Sequence, residues 1–157
     1  MFERQLIESV GSGPFTVMAW MRVDQSLGGA TACPLNKPYG VEMNNTWQLC
    51  VRTSAGTAQV FFYASEVPHE MWMEVPMEIG IWNHVALRWD GGKKTIFWNG
   101  GDVASQDGST QFDESAIRLG SDIDGADPVD PFPGALDDLE IYDRALADEE
   151  ILVGAGL

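Results

Sequence analysis

Positive charge is scarce in this chain of 157 residues: nine Lys and Arg stand against 24 Asp and Glu, a formal net charge of −15. Such a surface repels nucleic acid and anionic lipid, so no nucleic-acid partner is expected; it suits solubility or the attraction of divalent cations. Long apolar runs are missing too. None approaches the roughly 18 residues that a spanning helix needs, so no membrane insertion is expected. The amino end, MFERQLIESVGSG, lacks a basic stretch followed by an apolar one, so no signal peptide is expected and the compartment stays open. Cysteine is nearly absent. Cys33 and Cys50 allow either a disulfide or two thiols, and no C-x-x-C or Cys/His zinc spacing occurs. A Gly-x-Ser-x-Gly elbow, a phosphate loop and a dinucleotide fingerprint are all lacking.

What is present favours strands. Hydrophobic residues at 45% and charged residues at 21% support a folded core, and the length suits one domain over residues 1–157. Seventeen Gly and eight Pro, spread along the chain, supply many turns. Apolar or alternating segments recur at 15–23, 46–53, 58–65, 70–75, 82–89, 94–99, 102–105, 116–120 and 134–142. Asp90-Gly91-Gly92 and Asn99-Gly100 read as hairpin turns, because glycine tolerates the positive φ that a tight turn demands. Only LADEEILVGA (146–155) has a helical pattern, with Leu146, Ala147 and Ile151 able to seat one or two turns. About ten strands at this spacing predict an all-β sandwich or barrel.

Three segments together carry a family resemblance. They are GPFTVMAWMRVD (13–24), WNHVALRWDGGKKTIFWNGGDVAS (82–105) and FPGALDDLEIYDRALADEE (132–150). In that order, spanning roughly residues 13 to 152, the chain resembles the laminin G-like, concanavalin A-like family of jelly-roll lectin domains. The resemblance implies an antiparallel β-sandwich (concanavalin A-like jelly roll) with one short C-terminal helix. It also implies an extracellular or cell-surface setting. Members usually open with a further strand, and FERQLIES (2–9) is the stretch placed to form it, without the usual motif.

Asp137 raises the question of a metal. Residues two apart on a strand share a face, so Asp137 should point inward with Leu139 and Ile141, leaving Asp138, Glu140 and Tyr142 outward. A buried carboxylate needs hydrogen-bond donors or a cation. In the resembled family the matching aspartate often helps to hold a structural calcium, which takes carboxylate and carbonyl oxygens. The loop GSDIDGADPVDPFPG (120–134) brings Asp122, Asp124, Asp127 and Asp130 nearby, though not with EF-hand spacing. Asp137, Asp122 and Asp124 are therefore the candidate calcium ligands. The alternative is that Asp137 caps backbone N–H groups while the loop aspartates are solvated.

A sugar site would need an exposed aromatic face flanked by polar groups. Parity places Trp20 and Trp89 in the core. In EMWMEVPME, Met71, Met73, Val75 and Met77 form one face, and Glu70, Trp72, Glu74 and Glu78 the other. Trp82, His84 and Arg88 share a parity opposite to Val85 and Leu87. Trp72, Trp82 and Arg88 are thus the candidate ligand-binding residues, with partly buried structural roles as the alternative. Catalysis has less support. Glucanases of this fold use a Glu-x-Asp pattern, and no Glu here precedes an Asp by two positions. His69 lies in an expected loop, and His84 reads as structural. The leading expectation is a non-catalytic binding domain for carbohydrate, with a structural calcium. The rivals are a small glycoside hydrolase or lyase on the same jelly roll, and a structural or adhesion domain of a surface or virion protein whose partner is another protein.

Overall fold

β-Branched and aromatic runs alternate with glycine turns, and the strands they form close into two sheets sharing one apolar interior. The computed structural model describes residues 12–39, 45–54, 56–64, 70–124 and 127–157. The strands are β1 (Phe15–Val23), β2 (Thr31–Pro38), β3 (Asn45–Ser54), β4 (Thr57–Tyr63), β5 (Glu70–Pro76), β6 (Trp82–Trp89), β7 (Lys93–Trp98), β8 (Gly101–Asp107), β9 (Arg118–Leu119), β10 (Asp122–Asp124), β11 (Asp127–Val129) and β12 (Gly134–Tyr142), followed by helix α1 (Asp148–Gly154). The first sheet runs β12-β1-β6-β7-β8 and the second β5-β4-β3-β2-β9, each five-stranded; β10 and β11 pair separately. Every pairing is antiparallel. The fold is the expected concanavalin A-like β-sandwich with a short C-terminal helix.

Inward side chains from both sheets fill the interior. Phe15 sits at its centre, with Trp47, Phe62, Trp89 and Phe112 within 6.1 to 6.3 Å between ring centroids. Met71, Val75 and Met77 join this core, as the alternation around Trp72 predicts. Both expected hairpins form. Asp90 Oδ1 accepts the Gly92 and Lys93 N–H groups at 3.0 and 2.8 Å. Asn99 and Gly100, at φ 50° and 83°, connect β7 to β8 with two consecutive left-handed residues, as a tight hairpin requires.

Two features depart from the expected pattern. β2 carries Pro34 and Pro38, which argue against a strand in sequence; the register slips between Ala32 and Leu35, so Pro34 lies in a bulge where a missing donor is tolerated. The acidic stretch after Leu119 is not a plain loop, for it folds into the β10–β11 hairpin beside β2. FERQLIES (2–9) and His69 lie outside the described residues.

α1 covers part of the first sheet's outer face. Leu146 and Ile151 pack on Met18, Ala86 and Phe97. Arg88 pins the helix entrance, its Nη1 donating to the Leu146 carbonyl at 2.8 Å and to Asp148 Oδ1 at 2.5 Å. Glu150 accepts the Ala147 N–H and is gripped by Arg144 at 2.7 and 2.8 Å, which holds its carboxyl down at about 2.

Candidate functional site

The outer face of the second sheet collects the most binding-competent chemistry, because alternation turns every second residue of β2 to β5 outward. One row across it runs Trp72, Phe61, Cys50, and the next runs Glu70, Tyr63, Gln48, Asn36 and Arg118. A third holds Glu74, Gln59, Arg52 and Thr31. Cys33 and Cys50 are joined as a disulfide, and with Phe61 they make a small apolar cluster of their own. The alternative left open by the sequence is thereby decided.

Phe61 is the buried hub of an aromatic shelf. Tyr63 stacks on it at 5.4 Å with the planes 5° apart, and Trp72 leans against it at 6.5 Å. The Arg52 guanidinium lies 5.1 Å from the Phe61 centroid and donates to Thr31 Oγ1. Trp72 is 49% exposed, so its indole is open to solvent while its inner edge is held. Burial, with Glu70 nearby, pushes the Tyr63 hydroxyl up to about 12, so it stays protonated and able to donate. A rigid ring flanked by donors and acceptors can stack on a sugar's C–H face and bind its hydroxyls.

The far end of this face is oxygen-rich. Asp122 is buried at 3% exposure and accepts a hydrogen bond from Gln48 Nε2. Asn36 Nδ2 donates to the Ser121 carbonyl at 2.6 Å, while its buried Oδ1 has no hydrogen-bond partner. Burial and the neighbouring Asp122 carboxylate raise the Asp130 carboxyl. Among the described residues no group of three or more His, Cys, Asp or Glu stands together as a metal centre. The donors at this corner are instead two carboxylates, an orphaned amide oxygen and backbone carbonyls, a mixture that suits calcium. Asp124 is exposed on β10, opposite Asp127.

Asp137 is not part of this corner, and its expected inward direction is corrected. The β1–β12 register slips: Met18 faces Glu140, but Trp20 faces Asp137, so Ala19 opposes both Asp138 and Leu139. Asp138 takes φ 45°, and this bulge puts Leu136, Leu139 and Ile141 against the core while Asp137 is exposed on the outer face of the first sheet. Asp137 Oδ1 accepts the Asp138 N–H at 2.9 Å. Backbone geometry thus satisfies the carboxylate that strict alternation would bury.

The other candidates lie on the same outer face as Asp137. Trp82 is partly exposed, with the Arg22 guanidinium 5.0 Å above its ring. Arg88 is committed to α1 and sits 4.7 Å from the Phe97 centroid. His84 is buried, meets Trp20 edge-on at 5.5 Å, and burial lowers its imidazole's proton affinity. Trp20 is therefore also corrected: it faces outward with His84, whereas Trp89 is in the core. A cavity of about 440 Å³ opens elsewhere, between Ser26, Thr53, Thr57 and Ile79. It lacks an aromatic wall, so the Trp72 shelf is the better-equipped surface. Phe61, Tyr63, Arg52, Gln48 and Asn36 were not singled out in the sequence, although Phe61 and Tyr63 have the parity opposite to buried Val60 and Phe62 that would have flagged them.

The model of the concanavalin A-like lectin/glucanases superfamily matches residues 5–152. An anhydrosialidase from Macrobdella decora is 27% identical over 146 residues, and the chain spans only 18% of that protein's length. Among solved structures, a heptameric SAP-like pentraxin from Limulus polyphemus aligns at TM-score 0.75 and 18% identity, over 92% of this chain and 70% of that one. A Ruminococcus gnavus IT-sialidase CBM40 bound to α2,3 sialyllactose aligns at TM-score 0.68 and 19% identity, over 94% and 85% of the two chains.

Proposed function

The chain belongs to the concanavalin A-like lectin/glucanases superfamily, and we propose that within it this is a non-catalytic carbohydrate-binding domain that uses the outer face of its second sheet. The observation that carries the reading is the Trp72 indole, 49% exposed on a shelf made rigid by Phe61, Tyr63 and the disulfide. Trp72 would stack on a sugar ring, with Tyr63, Glu70 and Arg52 beside it to meet hydroxyls. The similarity to a CBM40 bound to sialyllactose supports carbohydrate as the ligand class. Hydrolysis is not supported by the carboxylates flanking the indole. Glu70 and Glu74 are four residues apart on one strand, roughly 13 Å, beyond the separation of about 6.5–9.5 Å that an inverting pair uses.

The test is a glycan-array screen of neutral and sialylated oligosaccharides, followed by titration of the hits. Trp72→Ala is expected to weaken retention by up to about tenfold, since stacked rings contribute about 0.5–1.5 kcal/mol beyond the area they bury, while the melting temperature holds. Retention unchanged by that substitution would refute the site.

A calcium ion belongs to the same proposal. Asp122, Asp130 and Asn36 would hold it, and when bound it would neutralise the paired carboxylates. Without an ion, Gln48 already orients Asp122 and the Ser121 carbonyl orients Asn36. Thermal unfolding in calcium and in chelator is expected to show a calcium-dependent rise that Asp122→Asn abolishes and Asp137→Asn leaves intact. A rise lost in Asp137→Asn, or no rise at all, would refute this placement.

A further inference from the structure

The outer face of the first sheet is covered by α1 at one end and open at the other. The open end carries Trp20 and Trp82, both partly exposed. Trp20 pairs with His84 and Arg22 with Trp82, so the two indoles are diagonal neighbours, with backbones roughly 7–8 Å apart. Buried His84, the cross-strand partner of Trp20, meets its ring edge-on at 5.5 Å, and the Arg22 guanidinium lies over one face of Trp82.

The charge of this face follows from its backbone. The bulge at Asp138 places Asp137 directly across from Trp20, and Asp137, Asp138 and Glu140 are all exposed along the same edge strand. The nearby cations are already matched. Arg22 binds Asp24 through two hydrogen bonds, at 2.6 and 3.2 Å, and Arg88 is held by Asp148 and the Leu146 carbonyl. What remains is a pair of indoles bordered by carboxylates with no free positive charge among these neighbours. Indole faces attract cations, and an adjacent carboxylate adds a charge-assisted hydrogen bond to a protonated amine. A neutral sugar would gain nothing from the excess negative charge.

We propose that this face is a second binding site, separate from the Trp72 shelf, for a sugar chain bearing protonated amines. Successive amino-sugar rings would lie on Trp20 and Trp82, with an ammonium group against Asp137. The sugar backbone of the ligand rests on the carbohydrate reading above, but none of the residues does.

The experiment is isothermal titration of the whole chain at low salt and slightly acidic pH. The probes are a fully deacetylated glucosamine oligomer and its N-acetylated counterpart. The deacetylated oligomer is expected to bind at least about tenfold more tightly, the size of one charge-assisted hydrogen bond. Asp137→Asn should cost about tenfold and Trp20→Ala a similar factor, whereas Trp72→Ala should leave affinity unchanged. Asp127→Asn makes the same charge change beside the second sheet and should shift affinity by no more than about twofold. No binding of the deacetylated oligomer, indifference to acetylation, or retained affinity in Asp137→Asn would overturn the proposal. An equal loss in Asp127→Asn would reduce it to unspecific attraction and overturn it too. Loss in Trp72→Ala would also overturn it, by moving the amine to the other face, and would leave the first reading standing.

Discussion

Asp138 decides where its neighbour points. At φ 45° it occupies the left-handed region, where a β-carbon crowds the carbonyl and most L-residues lose about 1–2 kcal/mol. Aspartate is among the few that tolerate it, and Asp137 accepting the Asp138 N–H secures the turn. The cost of substitution should therefore fall on Asp138 and not on exposed Asp137. In urea unfolding, Asp138→Ala is expected to lose about 1 kcal/mol and Asp138→Gly to stay within about 0.5 kcal/mol of the parent, since glycine adopts positive φ freely. Asp137→Ala forfeits one exposed hydrogen bond and should lose no more than about 0.5 kcal/mol. A larger loss at Asp137 than at Asp138 would mean that the carboxylate has a buried role after all.

At the scale of elements, strands marked out by apolar residues were legible in position, whereas the bulges that interrupt their pairing were not. β1, β6 and β12 were expected at residues 15–23, 82–89 and 134–142, and they span those residues, because their apolar residues mark them out and Asp90-Gly91-Gly92 follows β6 directly. β2 was hidden by Pro34, whose lost donor is harmless only because a bulge removes it from the ladder, which depends on pairing with β3. The bulge in β12 is equally non-local. DLEIY reads as strict alternation until β1 is laid beside it with one residue fewer. That is why Asp137 was expected inside. Trp20 was misread on β1 itself, where it shares parity with apolar Met18, which packs under α1 on the outer face and not in the interior. Trp72 was legible because β5 keeps perfect period, with Met71 and Val75 buried on either side. The rest of its shelf was not, since Tyr63 and Arg52 matter only once the second sheet sets β4 between β3 and β5. The disulfide likewise needed the fold, which packs β2 against β3 and so brings Cys33 beside Cys50.

The whole molecule is acidic outside and, unusually, basic within. Lys94 shares the inward parity of Ile96 and Trp98, with its Nζ 5.8 Å from the Phe62 centroid. Lys37 is buried as well, donating to the carbonyls of Asp113 and Ser115, both at 2.8 Å. Burial lowers the proton affinity of both ammonium groups, and for Lys37 nearby Asp113 offsets part of that. Between the folded value and the ordinary lysine value of about 10.5, the unfolded chain binds more protons, so stability rises with pH across that window. Tyr63 acts in the opposite sense. Its hydroxyl is pushed up to about 12, so above about pH 10 the unfolded chain releases a proton that the folded one keeps, and stability falls. Stability is thus expected to climb as pH rises toward the ordinary lysine value of about 10.5 and to decline above the ordinary tyrosine value of about 10, as the two windows meet. Urea midpoints across that range, taken at constant ionic strength, would show it. Lys94→Met should reduce the climb to the share Lys37 contributes and leave the decline, while Tyr63→Phe should remove the decline and leave the climb. A parent profile that falls steadily from neutral pH, with no climb below about 10.5, would mean that growing repulsion on a surface already at −15 outweighs the interior lysines.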